Sequence, residues 1–234
     1  MPNASRTARA IARDELTAAI KTAARRQLAD VGASALSLRA VARELGMVSS
    51  AVYRYFATRD DLLTALIVDA YDSVGAAAED AEAEVARDDL LGRWLSATTA
   101  VRSWAVAHPQ EYTLIFGSPV PGFRAPRDTV DPAARIPLLL IGLVQEAYAA
   151  GDAAVDPEPL PGPVADDMQA LAELVAPDLP PALLARAVAA WTMLVGTISF
   201  ELFGHLVGSV SDHPAHFAHQ MTVVAAQLGL RPSS

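Results

Sequence analysis

Residues 36–63, LSLRAVARELGMVSSAVYRYFATRDDLL, constrain the fold of this chain more strongly than any other stretch. The apolar residues of its first part recur at the spacing of one helix face: Leu38, Val41, Ala42 and Leu45. Gly46 follows at once, and a glycine there supplies the positive φ that a tight turn between two helices requires. A second helix of less than two turns then ends in YRYF. The stretch therefore predicts a helix-turn-helix.

Capping signatures place the helix boundaries around this turn. Ser37 can cap the first short helix, and Ser49 or Ser50 can cap the second, which we call the reading helix. Thr58 with Asp61 three residues later is a variant of the capping box, and it predicts the start of a longer helix.

A helix as short as the reading helix is not stable alone. We expect Val52 and Phe56 to dock it on the neighbouring helices, which leaves its polar face free to meet DNA. Its small residues would let the backbone approach base edges, and its tyrosines and arginine can donate hydrogen bonds to phosphates or a guanine edge. Arg59, in the first turn of the next helix, can share a phosphate with that helix N-terminus. The candidate DNA-contacting residues are Ser37, Arg39, Ser49, Ser50, Ala51, Tyr53, Arg54, Tyr55 and Arg59.

The charge of the chain is divided between its two parts. Residues 1–64 hold ten Lys/Arg, among them Arg6, Arg9 and Arg13, against six Asp/Glu, which gives a net charge of +4. The other 170 residues hold 8 bases and 21 acids, a net charge of −13, so that the whole chain carries −9. A basic part joined to an acidic one is expected where only the basic part meets phosphates. The alternative is a chance variation in surface charge.

At these residues the chain resembles the TetR family of bacterial transcriptional regulators. The resemblance is carried by SLRAVARELG in the first helix and turn, by AVYRYF in the reading helix and by TRDDLL at the entry to the next helix. At Val48 the family commonly has Ser or Thr, so that capping falls here to Ser49 or Ser50. The resemblance implies a homodimer that binds a palindromic DNA operator, usually as a repressor that a small ligand releases.

The rest of the chain reads as further helices separated by proline-rich breaks. Its composition, 52% apolar and without long alternating Val/Ile/Thr runs, favours helices over strands. Besides the two short helices, we predict helices over residues 8–30, 58–86, 88–108, 110–116, 133–151, 166–175, 181–206 and 213–228. We therefore expect an all-α protein, with a three-helix helix-turn-helix DNA-binding domain over 1–64 and a helical ligand-binding and dimerisation domain over 65–234.

Two later segments resemble the C-terminal domain of an actinobacterial-type TetR subgroup, named WHG for its Trp, His and Gly. They are WAVAHPQEYTLIFGSPVPGF at residues 104–123 and WTMLVGTISFELFGHL at residues 191–206. The resemblance implies that the last two helices pair with those of a second subunit in a four-helix bundle. Independently, the helix over 181–206 is apolar on nearly every face, which favours contact with another chain. Gly196 and Gly204 would allow a close helix approach there.

A small-molecule ligand is a further expected partner of the C-terminal domain. Aromatic side chains with a few polar groups make a plausible wall for an apolar pocket. The candidates are Trp104, His108, Tyr112, Phe116, Phe123, Tyr148 and Trp191. For each single residue the alternative is that it only fills the core. A second hypothesis keeps DNA binding, but gives this domain only dimerisation or a protein partner, with no small ligand. No cofactor is expected.

Two features of the last helices leave alternatives open. Glu201 lies in an apolar helix, where it is either buried and paired or exposed at the edge of the bundle. His213, His216 and His219 recur every third residue, a spacing at which side chains can share a helix face. Because Asp212 and the following proline already explain this segment as a helix start, we expect no metal site.

Enzyme and membrane classes fit the sequence poorly. It contains no G-x-S-x-G, Gly-rich phosphate loop or H-E-x-x-H motif, and we expect no catalytic site. It has no cysteine, which excludes disulfides and suits a reducing cytosol. Its most apolar runs, 136–144 and 188–200, are shorter than a bilayer-spanning helix, and its polar N-terminus lacks the apolar segment of a signal peptide. We expect a soluble, cytoplasmic protein.

Overall fold

The computed structural model describes residues 3–154 and 159–231, with side chains from residue 9 onward. These residues form ten α-helices and two short 3₁₀ turns, and none of them lies in a β-strand, so the predicted all-α class is confirmed. Residues 155–158, in one of the proline-rich breaks, lie outside the described residues. The helices are α1 (Asn3–Val31), α2 (Leu38–Glu44), α3 (Ser49–Val52), α4 (Arg59–Ala83), α5 (Leu90–Ala107), α6 (Pro109–Phe116), α7 (Val130–Ala150), α8 (Gly162–Val175), α9 (Pro181–Leu202) and α10 (His213–Gln227).

Contacts among the helices divide the chain into two compact units. The first unit comprises residues 1–70 and 108–130, and the second comprises residues 71–107 and 131–234. The short helices of the motif thus share the first unit with α6. The predicted boundary at residue 64 concerns the functional division of the chain, and it stays a prediction.

The core of the first unit is built from the faces that the apolar spacing predicts. Its buried side chains include Ile20, Ala23, Ala24 and Leu28 from α1, and Leu38, Val41 and Ala42 from α2. Residues of and after α6 pack against the same cluster, namely Leu114, Val120 and Phe123. Because one apolar cluster joins all these helices, it holds α2 and α3 at a fixed angle.

The second unit is organised around the indole of Trp94 on α5. Trp94 is fully buried, and its Nε1 donates a hydrogen bond to the backbone carbonyl of Met221 on α10 at 3.0 Å. A buried indole N–H needs an acceptor, so the bond from Trp94 to Met221 fixes α10 against α5.

Helix α7 buries one face in the second unit. Along this helix the buried residues recur at helical spacing: Ile136, Leu140, Ile141, Leu143, Val144 and Ala147.

A buried arginine joins three helices of the second unit. Arg93 on α5 is 2% exposed, and its guanidinium donates to the carboxylates of Glu82 on α4 and Glu146 on α7. The hydrogen bonds to Glu146 are the main cause that raises the pKa of Arg93, and the same bonds lower the pKa of Glu146. Periodicity places an apolar face here and does not reveal the arginine, since both partners lie far away in the sequence.

The C-terminal part of α9 differs from the prediction in two respects. The helix ends at Leu202 rather than at residue 206, because Gly204 adopts a φ of 77° and the N–H of His205 donates back to the carbonyl of Phe200. Gly204 therefore ends the helix rather than lying within it. Glu201 takes the first of its two alternatives, since its carboxylate accepts two hydrogen bonds from Arg102 on α5 and is only 12% exposed.

Two helical segments are longer than the apolar runs 136–144 and 188–200, which are themselves too short to span a bilayer. The segment Arg127–Ala150 and helix α9 are long and apolar enough to cross a membrane by length and composition alone. A core helix of a soluble protein passes the same test, so one or two such helices are weak evidence for a membrane span. Of these two segments, the one that contains α7 buries one face in the second unit.

Candidate nucleic-acid interface

The turn between α2 and α3 has the predicted glycine geometry. Gly46 adopts a φ of 64°, and the N–H of the next residue, Met47, donates to the carbonyl of Ala42 at 2.8 Å. A positive φ at this point costs glycine little and strains any other residue. The chain therefore turns tightly at the end of α2, and α3 packs against α2.

The start of α3 contradicts the predicted capping. The N-cap residue is Val48, with φ −69° and ψ 139°, and no side chain bonds to the first N–H groups of the helix. Ser49 and Ser50 are instead the first two helical residues. Neither serine caps the helix, so the prediction was wrong by one residue in register. The short helix is held by its docking to the core and not by a cap.

The α-helical part of the reading helix ends at Val52, earlier than the predicted end in YRYF, and residues 53–55 form a turn. The helix and this turn together bury one side and leave the other in solvent. Val52 is fully buried and Phe56 is 8% exposed, which confirms the predicted docking residues. On the opposite side Tyr53 is 42% exposed, and Ser50 and Arg54 are exposed. The half-buried candidates are Ser49, Ala51 and Tyr55. The motif thus presents hydroxyl groups and one guanidinium on a short rigid element, which is what contact with phosphates and base edges requires.

Ser37 and Arg39 lie at the first turn of α2. Ser37 is the N-cap residue, as predicted, but its hydroxyl makes no capping hydrogen bond. Its backbone N–H donates instead to Oε1 of Gln27, a buried residue of α1, at 3.2 Å. Arg39 is exposed. No local pattern reveals the Gln27 contact, because it crosses between two helices.

The predicted capping box at the start of α4 is present in both directions. The N–H of Thr58 donates to Asp61 Oδ2 at 2.9 Å, and the N–H of Asp61 donates to Thr58 Oγ1 at 3.0 Å. The guanidinium of Arg59, in the first turn of α4, donates to the carbonyls of Ala33 and Ser34 at 2.7 and 3.2 Å. In this structure Arg59 braces the turn after α1, and its predicted phosphate contact stays a prediction.

The positive charges in the second half of α1 are held by carboxylates of the first unit. Lys21 and Arg25 both contact Asp69 on α4, at 2.7 and 2.8 Å. Arg26 donates to Glu44 on α2. With Arg59, which contacts Asp60 at 3.4 Å, at least four of the ten basic residues of the N-terminal part are engaged in ion pairs within the chain.

The seven candidate ligand residues are divided between the two units. His108, Tyr112, Phe116 and Phe123 belong to the first unit, whereas Trp104, Tyr148 and Trp191 belong to the second. Tyr112 is fully buried and its ring centroid lies 5.1 Å from that of Phe116. Trp104 is 7% exposed and its Nε1 donates to Ser73 Oγ at 2.9 Å. His108 is exposed and Tyr148 is 38% exposed, whereas Phe116, Phe123 and Trp191 are half-buried.

An open apolar groove lies on the outer side of α9 in the second unit. Its volume is about 580 Å³. It is lined by Ala189, Thr192, Met193, Gly196, Thr197, Phe200, Leu206 and His216. Among these, Met193 is 45% and Phe200 is 53% exposed, and none of the seven candidate ligand residues lines the groove.

The histidines of α10 are not part of a cluster of metal-binding side chains among the described residues. Asp212 is the N-cap of α10 and its Oδ1 accepts from the N–H of Ala215 at 2.9 Å, as the helix-start interpretation predicts. Within the described residues there is no group of three or more His, Cys, Asp or Glu side chains that could hold a metal ion.

Comparison with protein families finds matches to both parts of the chain. The model of the bacterial regulatory proteins of the tetR family matches residues 20–66. The model of the tetracyclin repressor-like C-terminal domain matches residues 94–224. Among curated proteins, the HTH-type transcriptional regulator Rv1816 of Mycobacterium tuberculosis (strain ATCC 25618 / H37Rv) is 40% identical over 208 residues, which is 87% of each chain. The HTH-type transcriptional regulator Mb1846 of Mycobacterium bovis gives the same values.

Solved structures share the fold along nearly the whole chain. A protein assigned as regulatory, SCO4313, is 36% identical, with a TM-score of 0.76 over 92% of this chain and 97% of its own. A Rhodococcus sp. RHA1 protein of unknown function is 25% identical, with a TM-score of 0.66 over 92% and 93% of the two chains.

Proposed function

Since this chain belongs to the TetR family of bacterial DNA-binding transcriptional regulators, and not to an enzyme family, we propose that it is a homodimeric repressor of the cytoplasm. Residues 1–64 of each copy bind one half of a palindromic operator. A small apolar or aromatic ligand binds within residues 65–234 and releases the DNA. We assign the C-terminal domain to the WHG subgroup on its Trp, His and Gly segments.

The observation that carries the proposal is the reading helix. Its buried Val52 and Phe56 hold four residues of helix rigidly on the core, and its exposed Tyr53 and Arg54 face solvent. A group placed to within a few tenths of an ångström can discriminate base edges, whereas a mobile loop cannot. The net charge of +4 over residues 1–64 adds attraction for phosphates there alone.

Dimerisation through α9 and α10 is supported by the apolar groove. The groove leaves large apolar side chains in water, notably Met193 and Phe200, and their burial against another chain is favourable. A second copy related by a two-fold axis would bring the same face against itself and remove it from solvent. The dimer is then formed by the predicted segments 181–206 and 213–228.

The proposed small ligand is bound by aromatic and polar side chains. We propose that the ligand contacts the seven candidate residues, because they combine apolar area with a few polar atoms. These residues are Trp104, His108, Tyr112, Phe116, Phe123, Tyr148 and Trp191. The second candidate function, a regulator whose C-terminal domain only dimerises or binds a protein, is favoured by the buried state of Tyr112 and Trp104, which fits a role in the core.

Selection from a random pool of duplexes tests DNA reading directly. The purified protein should enrich a palindromic sequence, and binding to the enriched duplex, followed by fluorescence anisotropy, should weaken steeply as salt rises. Changing Arg54 to Ala should weaken binding by roughly 10- to 100-fold, because a specific base or phosphate contact is lost from each half-site. Enrichment of no sequence at any salt concentration would refute the proposed function.

A matched control distinguishes a specific DNA contact of Arg54 from a general effect of positive charge on affinity. Arg43→Ala removes the same side chain from an exposed position of α2 that is not among the proposed contacts. Binding should change less than threefold, a change of about 0.6 kcal/mol. Equal losses for both variants would mean that the motif contributes only charge.

A thermal-shift screen distinguishes the two versions of the C-terminal domain. A true ligand stabilises the protein by mass action, by about 2.7 kcal/mol at a hundredfold excess over Kd. A compound that raises the midpoint of the wild type and also lowers operator affinity supports the repressor. Silence across a broad library of apolar and aromatic compounds favours the module without a ligand.

A further inference from the structure

The first part of α1 extends beyond the core of the first unit. The first fully buried residue of the helix is Ile20, and residues 9–15 are all exposed. From Asn3 to residue 15 the helix is about 20 Å long, at 1.5 Å per residue. The described side chains of this extension, which include Arg9 and Arg13, therefore contribute nothing to the buried core of the first unit.

One contact ties the extension to the reading helix. The guanidinium carbon of Arg13 lies 5.5 Å from the centroid of the Tyr55 ring, within the range of a cation–π interaction. Tyr55 is one of the candidate DNA-contacting residues, so Arg13 stands beside the surface that meets DNA. Arg9, four residues earlier, lies on the same side of the helix one turn further out.

The two arginines differ from the other cations of α1 in their charge environment. Lys21, Arg25 and Arg26 are paired with carboxylates, whereas neither Arg9 nor Arg13 forms an ion pair with any residue that the structure describes. Ion pairs within the chain thus neutralise the positive charge of the second half of α1 and leave the charge beside the reading helix available.

The two neighbouring acids, Asp14 and Glu15, lie on other sides of the helix, and Glu15 is about 160° around the axis from Arg13. Asp14 lines the same shallow depression as Lys21, Arg25 and Asp69. Its carboxylate therefore belongs to the paired side of the helix, about 100° around the axis from Arg13. The side of α1 that carries Arg9 and Arg13 is consequently a strip of positive charge that continues the surface of the reading helix.

We propose that Arg9 and Arg13 form a second DNA contact, to backbone phosphates adjacent to those bound by the reading helix. This inference rests on the proposed function, since it assigns further contacts at the same operator. The contact is independent of base sequence, because a guanidinium over phosphate carries no base information. Arg13 has the added role of positioning the Tyr55 ring.

Salt titration of operator binding tests the proposal. In a dimer each contact occurs twice, so Arg9→Gln should reduce the slope of log K against log salt by about 1.8 and weaken binding by roughly 10- to 100-fold at 0.1 M salt. The ratio of affinities for the selected operator and a scrambled duplex should stay unchanged. Arg13→Lys, which keeps the charge over the ring, should retain most of the binding that Arg13→Gln loses.

Arg26→Gln is the matched control. It removes the same charge from the same helix, about 20 Å further along, where the side chain is paired with Glu44. Its salt slope should equal that of the wild type. If the Arg9→Gln/Arg13→Gln double variant binds with unchanged affinity and slope while Arg54→Ala does not bind, the inference is wrong and the proposed function stands. If the wild type binds no duplex, both fail.

Discussion

At the scale of single residues, the reading helix depends on two buried side chains. α3 has only four helical residues and no capping side chain, so its position is set by Val52 and Phe56 in the apolar cluster. The exposed side of the same helix is then free to carry contacts without any role in stability. Substitutions on the exposed side therefore test DNA binding, and substitutions on the buried side test stability.

Val52→Ala should lower the free energy of unfolding of the first unit by about 1–2 kcal/mol, because it removes two methyl groups from a fully buried site. Operator affinity should fall with it, as α3 loses its fixed position. Val48→Ala makes the same change at a position that is 71% exposed, and it should alter the free energy of unfolding by less than 0.5 kcal/mol. Thermal unfolding of both variants checks the difference, and equal effects would contradict the docking role.

At the scale of elements, α7 crosses α4 at a glycine. The guanidinium of Arg135 on α7 donates to both carboxylate oxygens of Glu79 and to the carbonyl and carboxylate of Asp72. A Cβ placed on Gly75, which lies between these acids on α4, would come within 2.9 Å of Arg135 Nε and 3.1 Å of its Cβ. An alanine at this position would therefore press on the Arg135 side chain, which has to shift to accommodate the added methyl group.

Gly75→Ala should destabilise the second unit, although alanine is favoured over glycine in a helix by about 1 kcal/mol. The added methyl group displaces Arg135 from its carboxylates, and the loss of its charge-assisted hydrogen bonds outweighs the gain in propensity. In an Arg135→Ala background the sign should reverse, and the same substitution should stabilise. A double-mutant cycle by chemical denaturation measures this coupling, and additive effects would show that Gly75 has no role in the crossing.

The same ion pairs make the second unit sensitive to acid. Hydrogen bonds from Arg135 lower the pKa of Glu79 below its ordinary value of 4.5, and those from Arg93 lower the pKa of Glu146. A carboxyl whose folded pKa is lowered stabilises the fold above its unfolded pKa and loses that contribution as pH falls through the folded value.

The midpoint of thermal unfolding should therefore fall as pH decreases below about 4.5. Arg135→Met removes the cause of the Glu79 shift, so the difference in stability between wild type and variant should shrink over the same interval. The two carboxylates are partly exposed, and the effect should stay near 1 kcal/mol or below. A difference that is constant from pH 7 to pH 3 would contradict this assignment.

At the scale of the whole molecule, the sequence predicts what is local and misses what is tertiary. Apolar spacing, Gly46 and the Thr58–Asp61 box identify the helices of the motif, since each depends on neighbours within four residues. The burial of Arg93 depends on side chains from two other helices, and no spacing reveals it. The predicted serine cap failed because docking, rather than a cap, stabilises α3.

The candidate sites divide in the same way. DNA-contacting residues could be proposed because they lie together on a short continuous motif. The seven candidate ligand residues come from separate segments, and whether they share a cavity depends on packing that periodicity does not resolve.

Phe200→Glu should convert the proposed dimer into a monomer, because it places a charge in the apolar groove of α9. Operator affinity should fall with it, as two linked motifs become one. Leu174→Glu makes a comparable change on α8, at a side chain that is 80% exposed, and should leave the mass unchanged. Light scattering after size exclusion gives the mass, and a wild-type monomer would refute this interface.

We propose that the helix-turn-helix of the first unit binds the operator DNA. Hydrogen–deuterium exchange, with and without the selected operator duplex, locates the contact surface without any substitution. We expect slower exchange in peptides that cover residues 37–59 and no change in α8. Slower exchange confined to the second unit, with residues 37–59 unaffected, would contradict it.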